Sequence, residues 1–111
     1  MTQRREDVRV SALALVTLYH DDVQVRAHAL DLSGGGFLAK TRSYVRLGDC
    51  FDTVLHLPGG AVIAATVECI RSAGDREYVF RFVTISARDQ ETIVREVFRL
   101  QRLAIAREQD A

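Results

Sequence analysis

Six segments with apolar residues at every second position follow one another with only short turns between them, and no segment of helical period intervenes. The first, VRVSALALVTLY at residues 8–19, puts Val8, Val10, Ala12, Ala14, Val16 and Leu18 on one face. Arg9, Ser11, Thr17 and Tyr19 fall on the other, with Leu13 and Leu15 as apolar exceptions. That period of two marks a half-buried strand. HDD then turns the chain into VQVRAHALD, which alternates again, so the two form a hairpin. FLAKT is a third strand and RLGDCFDTVLHL a fourth; PGG leads into a fifth, AVIAATVECIRSA, and GD into a sixth, REYVFRFVTI. Short connections imply antiparallel pairing. Strands that must all hide their edges imply a small closed barrel.

After residue 85 the period changes. Ser86 suits a helix N-cap, with Asp89 three residues on. Ile93, Val97, Leu100 and Ala104 recur on one stripe beside Val94, Phe98 and Ile105, which predicts a helix over about residues 87–108 lying on the barrel. Its outer face, Arg95, Arg99 and Arg102 with Glu91 and Glu96, reads as solvated. The expected fold is therefore mainly β, a six-stranded antiparallel barrel with a C-terminal α-helix. A chain of 111 residues fits one such domain: a flexible charged arm over 1–9, the barrel over 10–85 and the helix over 86–108.

Composition narrows the function. No apolar run is long enough to span a bilayer, and the basic start MTQRREDVRV has no apolar segment behind it, so neither membrane insertion nor secretion is expected and a cytoplasmic location is. Fifteen basic and fifteen acidic residues leave no net charge, which speaks against a general nucleic-acid or membrane-surface binder. Fourteen of the basic residues are Arg, whose rigid fork matches phosphates and guanine edges, although a GC-rich genome produces the same bias. Cys50 and Cys69 sit singly in strand-like segments and read as buried reduced thiols, not metal ligands. His20, His28 and His56 have no triad or ligand spacing and read as exposed strand or turn positions.

Two short stretches carry the chemistry. DLSGGGF, residues 31–37, lacks the spacing of a dinucleotide fold and the Lys of a P-loop; taken alone it is a glycine turn braced by Asp31 or Ser33. QRREDVRV, just before the first strand, sets Arg5 and Arg9 four positions apart with Arg4 adjacent. Together they spell RxxxR and then DxSxxG, on a six-strand barrel with a final helix. In this the chain resembles the PilZ domain family, bacterial receptors for the second messenger cyclic di-GMP. Arg5 and Arg9 match RxxxR; Asp31, Ser33 and Gly36 match DxSxxG. Softer agreement runs through LGDCFDTVLHLPGG, ATVECIR and YVFRF.

The residue types suit that ligand. Arg makes paired charge-assisted hydrogen bonds to phosphate or to guanine O6/N7, and a carboxylate such as Asp31 suits the guanine donor edge. Ser33 can donate or accept, and bare backbone at Gly35 and Gly36 lets a ligand approach the main chain. The resemblance implies that the arm carrying Arg5 and Arg9 closes over the nucleotide. It also implies that Arg4 goes with an intercalated pair of ligands, hence two per chain. Arg71 and Arg81 are further basic candidates, with Val79 standing where the family commonly has Gly two residues before the sixth-strand Arg.

The leading expectation is a non-catalytic receptor, a monomer or weak homodimer, that passes its signal to a downstream protein in motility, biofilm or exopolysaccharide control. An adaptor of the same fold that ignores nucleotide is the alternative. No catalytic, metal or cofactor set is expected, since paired carboxylates and metal-ligand clusters are missing from the sequence pattern. A nucleic-acid role through an OB-like face would want positive charge and strand aromatics.

Overall fold

The computed structural model describes residues 4–110, so residues 1–3 of the expected arm and residue 111 lie outside it. A single turn of 3-10 helix at Arg5–Asp7 leads into six strands: β1 (Arg9–His20), β2 (Val23–Ser33), β3 (Gly36–Thr41), β4 (Cys50–His56), β5 (Val62–Gly74) and β6 (Glu77–Thr84). The chain ends in α1 (Ala87–Asp110). Arg9, expected in the arm, is the first residue of β1 and pairs with Ser33.

The strands close into an antiparallel barrel in the order β1-β2-β3-β6-β5-β4. Two consecutive three-strand meanders are thus joined edge to edge, β3 to β6 and β1 to β4, and no strand edge is left open. Alternation explains the inside. Ala14, Val16 and Leu18 of β1, Val25, Ala27 and Ala29 of β2, and Phe51 and Leu55 of β4 point inward and are buried. Phe37 and Phe80 stack at 5.3 Å between centroids in the middle of the core. Leu13 and Leu15, the two exceptions in β1, stand outside, 72% and 68% exposed.

Bulges reset the alternation where the site lies. Continued from Ala27 and Ala29, period two would carry Asp31 inside; a register shift between Ala29 and Asp31 instead buries Leu32 and leaves Asp31 at the rim. A second shift, between Cys69 and Arg71 on β5, leaves both Ile70 and Arg71 outside.

The helix starts as expected, with the Asp89 N–H donating to Ser86 Oγ at 3.0 Å. Ile93, Val94 and Val97 are buried against the barrel and Phe98 and Leu100 partly so. Beyond them the stripe leaves the barrel: Ala104 and Ile105 are exposed, because α1 runs past the surface it packs on. Glu96, expected on the solvated face, is 8% exposed; it accepts from the Gly59 N–H of the β4–β5 turn and is paired with Arg99. Those bonds, the Arg99 guanidinium first, hold its carboxyl below the ordinary range. Of the two thiols Cys69 is buried, and burial pushes its pKa up, but Cys50 opens β4 facing outward. The three histidines are exposed. Among the described residues no helix is long and apolar enough to cross a membrane.

Candidate functional site

The site is built on the hairpin that joins β2 to β3. Gly34 and Gly35 form its turn between the paired residues Ser33 and Gly36. Ser33 is 2% exposed, and its hydroxyl is engaged locally: it donates to the Gly36 carbonyl at 3.2 Å and accepts from the Gly35 N–H at 3.3 Å. Ser33 therefore clamps the turn. None of the three glycines has a positive φ. Gly34 is bare because a Cβ there would lie 2.7 Å from Val94 Cγ2 and 2.8 Å from Glu6. Gly36 is bare because a Cβ would run into the Phe80 carbonyl oxygen across the β3–β6 pairing. Gly35 is the exposed one, with only Glu6 O at 3.7 Å and Ser33 Oγ at 3.9 Å near its would-be Cβ.

Beside the turn lies a cleft of about 320 Å³ whose walls include Asp7, Arg9, Gly35, Gly36, Ile70, Val79 and Arg81. Register puts these together: Gly36 pairs with Arg81, Arg81 with Glu68, and Arg9 with Ser33. Every arginine in the cleft wall is held by a carboxylate. Arg9 Nη1 donates to Asp31 Oδ1 at 2.6 Å, and the same oxygen accepts the Leu38 N–H at 3.0 Å. Arg81 donates to Glu68 Oε1 through Nε at 2.9 Å and through Nη2 at 2.5 Å.

The segment before β1 crosses this hairpin. Its Glu6 carbonyl accepts the Gly35 N–H at 3.0 Å, and the Gly35 carbonyl accepts the Phe82 N–H at 3.0 Å, so the turn is tied on both sides. Arg5 points away from the cleft. Both its terminal nitrogens donate to Glu91 on α1 at 3.2 Å, with the guanidinium 5.6 Å from the Phe98 ring centre. Those bonds from Arg5 draw the Glu91 carboxyl below its ordinary pKa. Arg4 is exposed, its carbonyl accepting the Asp7 N–H of the 3-10 turn.

A family model for the PilZ domain matches residues 3–99. The chain belongs to the PilZ domain family. No curated relative matches it in sequence. Among solved structures this PilZ domain is similar to the inhibitor of motility MotI/DgrA of Bacillus subtilis, at a TM-score of 0.78 and 19% identity over 91% of this chain and 52% of that one. It is likewise similar to YcgR of Escherichia coli in complex with c-di-GMP, at 0.80 and 22% over 92% and 48%, and to the isolated PilZ domain of that YcgR with c-di-GMP, at 0.73 and 21% over 93% and 95%. The chain thus spans about half the length of MotI and of full YcgR. Identities at this level establish a shared fold.

Of the residues singled out in sequence, the fold of this PilZ domain brings Arg9, Asp31, Ser33, Gly35, Gly36 and Arg81 to one rim. Arg5 and Arg4 stand beside it on the other side of the turn, and Arg71, past the β5 bulge, does not line the cleft. Val79 forms part of the cleft wall and is 8% exposed. Glu68 and Glu91, the carboxylates that hold Arg81 and Arg5, were not legible as site residues. Glu91 is remote in sequence from Arg5, and Glu68 meets Arg81 only through the register shifts of the β5–β6 hairpin.

Proposed function

We propose that this PilZ domain is a non-catalytic receptor for cyclic di-GMP. The observation that carries the reading is the convergence of Arg9, Asp31 and Arg81 with the bare Gly35–Gly36 backbone on one open cleft. Two guanidinium groups suit phosphate or a guanine O6/N7 edge, Asp31 suits a guanine donor edge, and the exposed, side-chain-free Gly35 lets a ligand approach the main chain closely. The c-di-GMP-bound YcgR structures with the same fold support it further.

In this reading the ligand replaces carboxylates. Arg9 exchanges Asp31 for nucleotide, and Arg5 leaves Glu91 and Phe98 to close over it. The arm then takes a fixed position on the barrel while α1 loses its Arg5 contact. That change of surface at the arm and helix is what a downstream protein would sense. Arg4, free to swing to the same side, is assigned contact with a second, intercalated ligand; Arg71 is assigned at most an outer contact. As a second-messenger receptor the protein works in the cytoplasm.

The adaptor reading has one observation in its favour: Arg5, Arg9 and Arg81 are all satisfied internally without ligand. Isothermal titration with cyclic di-GMP separates the two. The receptor reading expects micromolar or tighter binding that the Arg5→Ala, Arg9→Ala double variant loses. Absence of binding by the folded protein would overturn it in favour of the adaptor, and equal binding of GTP would overturn the claim of a specific receptor.

A further inference from the structure

Another hollow, of about 620 Å³, lies apart from the cleft just described. It is a groove on the outside of the first meander, toward the far ends of β2 and β3. Cross-strand register sets Leu15, His28 and Lys40 in one row across β1, β2 and β3, and Arg26, two residues before His28, is joined to Arg42 through the Arg42 N–H to the Arg26 carbonyl at 3.2 Å. Arg76, from the β5–β6 turn, closes the side.

Four basic side chains, Arg26, Lys40, Arg42 and Arg76, and one histidine line this groove, and no carboxylate does. For a chain of zero net charge that is a local imbalance. It differs from the cleft, where the arginines are held by Asp31 and Glu68. Beside the groove, Asp75 is paired with Arg76 along the turn at 3.7 Å, and Glu77 is opposite Lys40 on β6. Arg76 also keeps a buried Nε that has no hydrogen-bond partner among the described residues, while its guanidinium lies 6.0 Å from the Tyr44 ring centre. The Arg76 side chain is nonetheless 42% exposed, so a carboxylate brought into the groove can still pair with its guanidinium.

The groove continues into an apolar step. Leu15 and His28 also border a second hollow, of about 350 Å³, with Leu13. Leu13 and Leu15 break the polar side of the β1 alternation and are the two most exposed residues of that strand's apolar set, at 72% and 68%. Solubility gives no reason for two leucines there; adjacent to a basic groove they form a mixed apolar and cationic surface.

We propose that this surface docks an extended acidic segment of a partner protein, its carboxylates on Arg26, Lys40, Arg42 and Arg76 and its apolar side chains on Leu13 and Leu15. Charge complementarity selects the acidic partner, and the groove's concavity selects a polypeptide segment over a flat anionic membrane. Because β2 and β3 carry the Asp31–Gly36 hairpin at one end and this groove at the other, a partner here can dock without covering the cleft. The proposal does not depend on cyclic di-GMP being the ligand of that cleft.

The test uses the whole chain labelled with ¹⁵N and a synthetic peptide of alternating Glu and Leu, with an isosteric Gln-for-Glu peptide as control. Titration followed by amide chemical shifts should move Leu15, His28, Lys40, Thr41, Arg42 and Arg76 together and leave Gly36 and Arg81 in place. The Gln peptide should bind about tenfold more weakly or worse, as should the Glu–Leu peptide to the Arg26→Glu, Arg42→Glu variant, whose melting temperature serves as the check on folding. Shifts scattered over the surface, none at millimolar peptide, or equal shifts with the Gln peptide would overturn the proposal. So would phosphatidylglycerol vesicles or a short DNA duplex shifting the groove residues while the acidic peptide does not; each would assign the surface to that partner instead.

Discussion

Exchange of the Arg9–Asp31 pair for ligand makes a prediction with a sign that simpler schemes lack. In the free chain the pair is 2.6 Å long with side chains 44% and 21% exposed, so solvent screens it and it contributes only about 0.2–1 kcal/mol. Each partner gains a charge-assisted contact of about 1.5–3 kcal/mol with the ligand. Arg9→Ala forfeits that contact but no longer has a pair to break, so it weakens binding by about 0.5–2.8 kcal/mol, roughly two- to a hundredfold. Asp31→Ala follows the same arithmetic. In the double variant the pair is lost only once, so its loss should exceed the sum of the single losses by the worth of the pair, about 0.2–1 kcal/mol. Calorimetric titration of the four proteins measures all terms. The thermal melts separate the residues further. Arg9→Ala should leave stability almost unchanged, whereas Asp31→Ala strands the part-buried Leu38 N–H and should lower the melting temperature by several degrees. An Arg9→Ala protein that binds as tightly as wild type, or a double variant that loses less than the sum of the singles, would refute the exchange.

The glycines give a second separable pair. Gly36→Ala should abolish folding through the clash with the Phe80 carbonyl, whereas Gly35→Ala meets only ordinary contacts, so it should melt like wild type and lose ligand binding; circular dichroism and titration check both. Glu96→Gln should lower the melting temperature at neutral pH by several degrees, because it weakens the link from α1 to Gly59 and to Arg99. Its folded pKa is below the usual 4.5, so that contribution is complete above this value and disappears as pH falls through the lower folded pKa. The gap between wild type and variant in melts from pH 7 downward should close accordingly. Arg4→Ala should halve the stoichiometry of cyclic di-GMP binding from two to one while leaving the first site intact, read from the titration endpoint.

Much of the barrel was legible because runs of its inner residues obey period two: Ala14, Val16 and Leu18, or Phe51, Thr53 and Leu55, announce their own faces. What the alternation does not encode is where it slips. Extending the Gly74–Glu77 pairing along the β5–β6 hairpin without a slip would set Arg81 opposite Ile70; two register shifts move it to Glu68. Arg81's partner was therefore out of reach of sequence, and so was the exclusion of Arg71 from the cleft. The Arg5–Glu91 pair joins residues at opposite ends of the chain, and the order β3-β6 and β1-β4 that brings α1 near the arm is a property of closure, not of any local pattern. The end of the helical stripe was missed for a related reason. Ala104 and Ile105 continue the period, but nothing in a period tells how far the surface beneath it extends.

The three glycines show how a ligand motif and a folding motif come to share residues. Bareness at Gly34 makes room for Glu6 and Val94, and at Gly36 for the Phe80 carbonyl; both follow from packing, and neither requires a ligand. Ser33 is likewise committed to the turn it sits in. So the spacing DxSxxG is in large part the condition for a tight β2–β3 hairpin to dock under the arm and against β6. Loss of binding on mutating Ser33 or Gly36 would then say little about contact with nucleotide, because the hairpin itself would move. Gly35, Arg9 and Arg81 are different. They face the open side, their substitution spares the core, and the geometry leaves them with no structural duty beyond surface ion pairs and a backbone tie. Any claim that this cleft recognises a charged nucleotide has to be decided at those three positions.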